Sequence, residues 1–120
     1  MGRLEDMPDV KEIVVLVTVS GEEIGRRIAD ALLTARVAAC VNAISGMQSD
    51  FWWEGKVESA RETLLIIKTK AALLEEVTRL VKANHNYEVP EVIALPIIGG
   101  NRDYLDWIAQ ETAHAQDQGH

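Results

Sequence analysis

Two long strand-like runs joined by a short turn constrain this chain more than any other feature. Val37 to Trp53 and Val57 to Thr69 both read as β-strands, with Glu54-Gly55-Lys56 between them. A glycine flanked by polar residues at that place predicts a hairpin turn. Strands in globular proteins usually hold about five or six residues, so both arms are long. The chain has 120 residues, enough for one domain. A hairpin of this length on so small a body must overhang its own core. Gly46 interrupts the first arm and predicts a bend or bulge. Near the tip, alternation sends Trp52 to one face and Phe51 and Trp53 to the other. The helices of such a domain cover one face of a sheet, which leaves at least one large aromatic exposed on an edge strand. Edge strands and exposed apolar patches invite pairing. The expectation is self-association through the hairpin, with Phe51, Trp52 and Trp53 at the subunit interface.

The flanking segments complete a pattern. Glu12 to Val19 is rich in β-branched residues and apolar on both faces, which predicts a mid-sheet strand. Ser20 and Glu23 form a capping-box pair, and Ile24, Ile28, Ala31, Leu32 and Ala35 recur at helical spacing. Leu73, Leu74, Val77, Leu80 and Val81 mark a second helix over residues 71–83. Glu91 to Ile98 is a short apolar strand whose Pro96 suits a sheet edge. After the Gly99-Gly100 turn, Asn101 is placed to cap a last helix carrying Tyr104, Leu105, Trp107 and Ile108. The order β-α-β-β-α-β plus a short helix predicts an α+β, ferredoxin-like βαββαβ sandwich with a long β2-β3 hairpin. Right-handed crossovers then put the first and third strands in the centre. Residues 1–11 read as a flexible N-terminal arm, 12–112 as the domain and 113–120 as a flexible tail without apolar periodicity.

Charge and composition narrow the function. Lys and Arg number 12 against 19 Asp and Glu, a net charge of −7. Nucleic-acid binders carry a basic stripe that this chain lacks, so no nucleic-acid partner is expected. The longest apolar run, Val92 to Ile98, falls far short of the about 20 residues a membrane span needs, so no membrane partner is expected. The N-terminal residues lack a secretory pattern and Cys40 is the single cysteine, so the reading is a cytoplasmic protein without a disulfide.

Candidate chemistry is sparse. No zinc spacing, nucleophile elbow, P-loop or dinucleotide fingerprint occurs, and no nucleophile–base pair is visible, so no enzymatic activity is expected. Gly99-Gly100-Asn101 reads as a turn and N-cap before it reads as an anion site. Cys40, inside Val37-Ala38-Ala39-Cys40-Val41, reads as a small core hydrophobe. The segment from His85 to Glu91 is richest, with an imidazole, a phenol and the carboxylates of Glu88 and Glu91 on a loop anchored by Pro90. Imidazole with carboxylate suits Cu(II) and related divalent ions, but one of each needs further ligands to make a tight site. A plain capped loop is the competing reading.

Several segments together resemble the CutA divalent-cation tolerance family. They are Ala38-Ala39-Cys40-Val41-Asn42, Phe51-Trp52-Trp53-Glu54-Gly55-Lys56-Val57 and His85-Asn86-Tyr87-Glu88-Val89-Pro90-Glu91, followed by Ala94-Leu95-Pro96-Ile97 and Asn101 to Trp107. The resemblance covers about residues 12–110. It implies a non-enzymatic ferredoxin-like homotrimer held by its hairpins, with no obligatory cofactor. It also implies weak binding of Cu(II) or another divalent metal, with His85 and Glu91 as ligands. Asn86 stands where the family usually has proline. Val17 and Asn84 stand where copper-associated members can carry a thiol and an imidazole. The family is similar to the PII signalling proteins. The alternative is therefore a PII-like trimeric sensor that binds a small anionic metabolite between subunits.

Overall fold

The computed structural model describes residues 10–113. The elements run β1 (Glu12–Val19), α1 (Glu22–Thr34), β2 (Cys40–Trp53), β3 (Lys56–Lys70), a single 3₁₀ turn (Ala71–Leu73), α2 (Leu74–Asn84), β4 (Val92–Pro96) and α3 (Arg102–Glu111). The four strands form one antiparallel sheet in the order β2-β3-β1-β4. This is the expected ferredoxin-like α+β plan, with β1 and β3 central.

Alternation along the two central strands builds the core. Ile13, Val15, Val17 and Val19 of β1 and Leu65 and Ile67 of β3 point to one face and are fully buried. Ile28 and Leu32 of α1, Leu73 from the 3₁₀ turn, and Val77 and Val81 of α2 close over them. Helix α1 lies close against the sheet at Gly25, where a Cβ would stand 3.4 Å from Leu65 Cδ2 and from Val19 Cγ2. The other face is apolar but only half-covered. Val14, Leu16, Leu64 and Ile66 are partly buried, while Ile44 stays 52% exposed and Leu95 50%. The expected two-sided burial of β1 is thus only partly met within one chain.

The hairpin carries the largest overhang. β2 and β3 pair from Cys40↔Lys68 out to Trp53↔Lys56, with a register break between Ile44 and Met47. Gly46, at φ +81°, makes that break, and the Arg61 guanidinium donates to its carbonyl at 3.1 Å. At the tip, Glu54 and Gly55 both have positive φ, at 49° and 81°, the signature of a two-residue type I′ turn. Lys56 belongs to β3 and not to the turn. The first arm begins at Cys40 and not at Val37; Val37 and Ala38 are buried, and Ala39 N–H donates to Lys68 O at 2.9 Å.

Three local expectations are corrected. The capping box is not formed: Gly21 is the N-cap of α1, without a side-chain cap bond, and Ser20 instead exchanges hydrogen bonds with Asn86. The last strand is shorter than expected, running from Val92 to Pro96, since Glu91 lies before its pairing with β1 and Ile98 beyond it. The domain also reaches past the expected limits. Val10 packs on the core, Lys11 O accepts from Ala71 N–H at 2.8 Å, and Ala113 N–H donates to Arg36 O at 2.8 Å. The rest of the expected arm and tail, residues 1–9 and 114–120, lies outside the described residues. Asn101 caps α3 as expected, its side chain accepting from Asp103 N–H at 2.9 Å.

Candidate functional site

Where the outer half of the hairpin faces the segment after α2, the chain forms a cleft of about 840 Å³. Its wall comes from Thr18 on β1, residues 48–51 and Trp53 on β2, Glu62 on β3, and Tyr87, Glu88, Val89 and Glu91 from the loop. The bulge at Gly46 shifts the register of β2 just before the residues that line it.

His85 sets the position of this loop. Its backbone is extended, which ends α2. The ring Nδ1 accepts from Tyr87 N–H at 3.1 Å, which leaves the proton on Nε2, and Nε2 donates to Thr18 O at 2.7 Å. Both ring nitrogens are therefore spent on backbone groups. The Tyr87 ring lies against the imidazole at a centroid distance of 4.6 Å. Its hydroxyl donates to Glu62 Oε2 at 2.9 Å. Partial burial, then the bond to Glu62 and its negative charge, hold the Tyr87 phenol above its ordinary range. Asn86 ties the same loop to Ser20.

The structure does not bring the expected metal ligands together. Glu91 lies on the cleft wall, whereas His85 is not part of the lining and is turned toward Thr18. Among the described residues no three His, Cys, Asp or Glu side chains converge as a metal site. The single chain thus does not fit a tight copper centre. Of the three hairpin aromatics, Phe51 and Trp53 line the cleft and Trp52 points away from it, 75% exposed, as alternation requires.

The residue the sequence reading passed over is Glu62. It is only 8% exposed, and no Lys or Arg pairs with it among the described residues. The legible signal was phase, because Glu62 falls on the same face as Leu64 and Ile66. The cleft wall holds the carboxylates of Asp50, Glu62, Glu88 and Glu91 and no basic side chain. Hydrogen bonds from Ser59, at 2.6 Å, and from Gln48 hold the Asp50 carboxyl below its usual range. These walls are a poor match for an anionic metabolite.

Cys40 is half-buried and not part of the core, with its thiol 3.8 Å from Asn42 Oδ1. Lys68 bonds the same Asn42 oxygen. Tyr104 of α3 lies beside the thiol, its phenol raised by desolvation and then by Cys40. The expectation of a small buried hydrophobe is corrected, because the start of β2 is an edge lined by polar partners.

Fold and site together define a small ferredoxin-like domain with a projecting hairpin over an acidic, aromatic cleft. The chain belongs to the CutA1 divalent ion tolerance protein family, whose model matches residues 13–111. It is 54% identical over 103 residues to the chloroplastic CutA 1 protein of Oryza sativa, covering 86% of this chain and 58% of that protein. It is 48% identical over 101 residues to the divalent-cation tolerance protein CutA of Thermus thermophilus, covering 84% of this chain and 98% of that one. A crystal structure of CutA1 from Oryza sativa superposes with a TM-score of 0.84 at 53% identity, over 88% of this chain and 96% of that one. The chain spans about three fifths of the length of the plant relatives, at 58% and 59%.

Proposed function

We propose that this chain acts in divalent-cation tolerance as a non-enzymatic, cytoplasmic homotrimer. The observation that carries the assembly is the unpaired β2 edge, flanked by Trp52 at 75% and Trp53 at 54% exposure beside the half-bare outer sheet face. A surface of that kind is normally covered. The number three rests on the family resemblance. The net charge of −7 argues against a nucleic-acid partner. Among the described residues no helix is long and apolar enough to cross a membrane.

Direct metal binding by this chain is weak, because both ring nitrogens of His85 already hold backbone groups. A Cu(II) ion at the loop would take Nδ1 of His85, with Glu91 as a carboxylate partner, and Nδ1 is already held by Tyr87 N–H. Coordination forfeits that bond, at a cost of about 1 kcal/mol. Ligands from a second subunit or water must fill the remaining positions.

Light scattering of the full chain should give three times 13.3 kDa. A monomer at micromolar concentration would sink the assembly. Copper is tested by calorimetric titration of protein ending at Ala113, which removes His114 and His120. His85→Ala and Glu91→Gln should each weaken binding. Equal binding by all three proteins would remove His85 and Glu91 as ligands.

A further inference from the structure

Ser20-Gly21-Glu22-Glu23 spells a capping box that the fold does not use. Helix α1 starts from Gly21 without a side-chain cap, so its first-turn N–H groups lack the acceptor that Ser20 could supply. The Ser20 hydroxyl is engaged by Asn86 instead. Asn86 Nδ2 donates to Ser20 Oγ at 3.1 Å, and the hydroxyl faces Asn86 Oδ1 at 3.4 Å. Three side-chain ties hold the loop after α2: His85 on Thr18 O, Tyr87 on Glu62, and Asn86 on Ser20. Of the three anchors, Ser20 has a second use beside it in the sequence. In the box it accepts from Glu23 N–H, while the Glu23 carboxylate reaches back to Ser20 N–H.

The two uses exclude one another and are close in strength. While bonded to Asn86, Ser20 caps nothing. A serine cap and a neutral hydrogen bond are worth similar amounts, and Ser20 and Asn86 are both exposed to water. Gly21 permits the exchange. It is extended, a Cβ there would meet nothing within 4 Å, and it becomes the first helical residue once Ser20 is the cap. We infer that Ser20 is a two-position latch coupling the loop over residues 85–91 to the N-terminus of α1. Closed, it holds Asn86 and α1 starts from Gly21. Open, Asn86 is released, Ser20 caps through Glu23 N–H, and the helix lengthens by one residue. The cap gained on opening offsets part of the bond lost, so the loop moves at lower cost than its three ties imply. The inference goes beyond metal binding and does not rest on it.

The test is residue-resolved amide hydrogen exchange of the full chain with a chelator present. Asn86→Ala frees the hydroxyl. Glu23 N–H should then exchange about fivefold more slowly, the protection a cap of ordinary strength gives. Tyr87 N–H, held on His85 Nδ1 in the closed loop, should exchange faster. Ser20→Ala also loosens the loop and speeds Tyr87 N–H, but Glu23 N–H gains nothing. The double variant Ser20→Ala/Asn86→Ala separates a latch from simple loss of a contact, and its Glu23 N–H should match that of Ser20→Ala. An Asn86→Ala protein whose Glu23 N–H exchanges at the wild-type rate or faster would overturn the latch. So would a double variant protected as strongly as Asn86→Ala, because the gain would then not pass through the Ser20 hydroxyl. Should Asn86→Ala fail to fold, Asn86→Leu, which keeps the bulk and has neither donor nor acceptor, carries the same readout.

Discussion

Arg36 holds a backbone conformation, φ 61°, that glycine would adopt with less strain. It ends α1: Arg36 N–H donates to Leu33 O at 3.1 Å and Val37 N–H to Leu32 O at 3.0 Å, the paired bonds of a Schellman motif. The side chain compensates by binding Glu111 at 3.0 Å, while its carbonyl holds Ala113. Arg36→Ala keeps the strain and loses the ion pair; Arg36→Gly loses the pair and relieves the strain. The glycine variant should therefore be more stable than the alanine variant by about 1 kcal/mol, the reverse of the usual helix order. Urea midpoints at one protein concentration decide this, and an alanine variant equal or superior would refute it. A pH prediction belongs to the tyrosines. Tyr87 and Tyr104, the only two in the chain, both sit above the ordinary value of 10.0. The folded state holds those protons more tightly than the unfolded state. Their contribution is intact below about pH 10 and is lost as pH rises through the raised folded values. Alkaline absorbance titration should show tyrosinate later in native than in urea-unfolded protein, and Tyr87→Phe should flatten the alkaline loss of stability. That variant also strips Glu62 of its donor, costing about 1–3 kcal/mol at neutral pH.

At the scale of elements, the hairpin turn offers the clearest handle. Glu54 adopts φ 49° at the first position of a type I′ turn, where Asn is favoured. Glu54→Asn should raise stability by about 0.5–1 kcal/mol, read as a higher urea midpoint with assembly unchanged; a fall would show that Glu54 makes a contact needed elsewhere. The same hairpin shows what sequence alone reveals. Its arms, the Gly46 bulge and the central placing of β1 and β3 follow from periodicity and turn chemistry, which are local. Asn101 was legible as a cap because its partner, Asp103 N–H, is two residues away. Ser20 was not, because its partner Asn86 lies across the fold and competes with the local capping box. His85 was legible as the centre of an informative loop but not in its role, since Thr18 and Tyr87 take both nitrogens. Glu62 faces a cleft that exists only once the hairpin and loop meet, and no local pattern names its partner Tyr87.

For the molecule as a whole, the question is what covers the hairpin and outer sheet face. In one chain β2 has a neighbour on one side only, and Ile44, Ile93 and Leu95 share a half-bare face with partly buried Leu16, Leu64 and Ile66. A charge placed there costs the isolated subunit little, because the site is open to water. In an assembly the same charge would be desolvated without a partner, which is strongly destabilising. For the proposed trimer, Trp52→Lys and Ile93→Lys should therefore cut the scattering mass from three times 13.3 kDa toward 13.3 kDa. Unfolding should also become less cooperative, since folding and assembly are coupled in large apolar interfaces. Leu33→Lys is the matched control. Leu33 is also an exposed apolar side chain, 40% accessible, but it lies on α1, away from the hairpin. It should keep the wild-type mass. If Leu33→Lys dissociates the protein and Trp52→Lys does not, the contact is made by the helical face, and the hairpin aromatics serve the cleft alone.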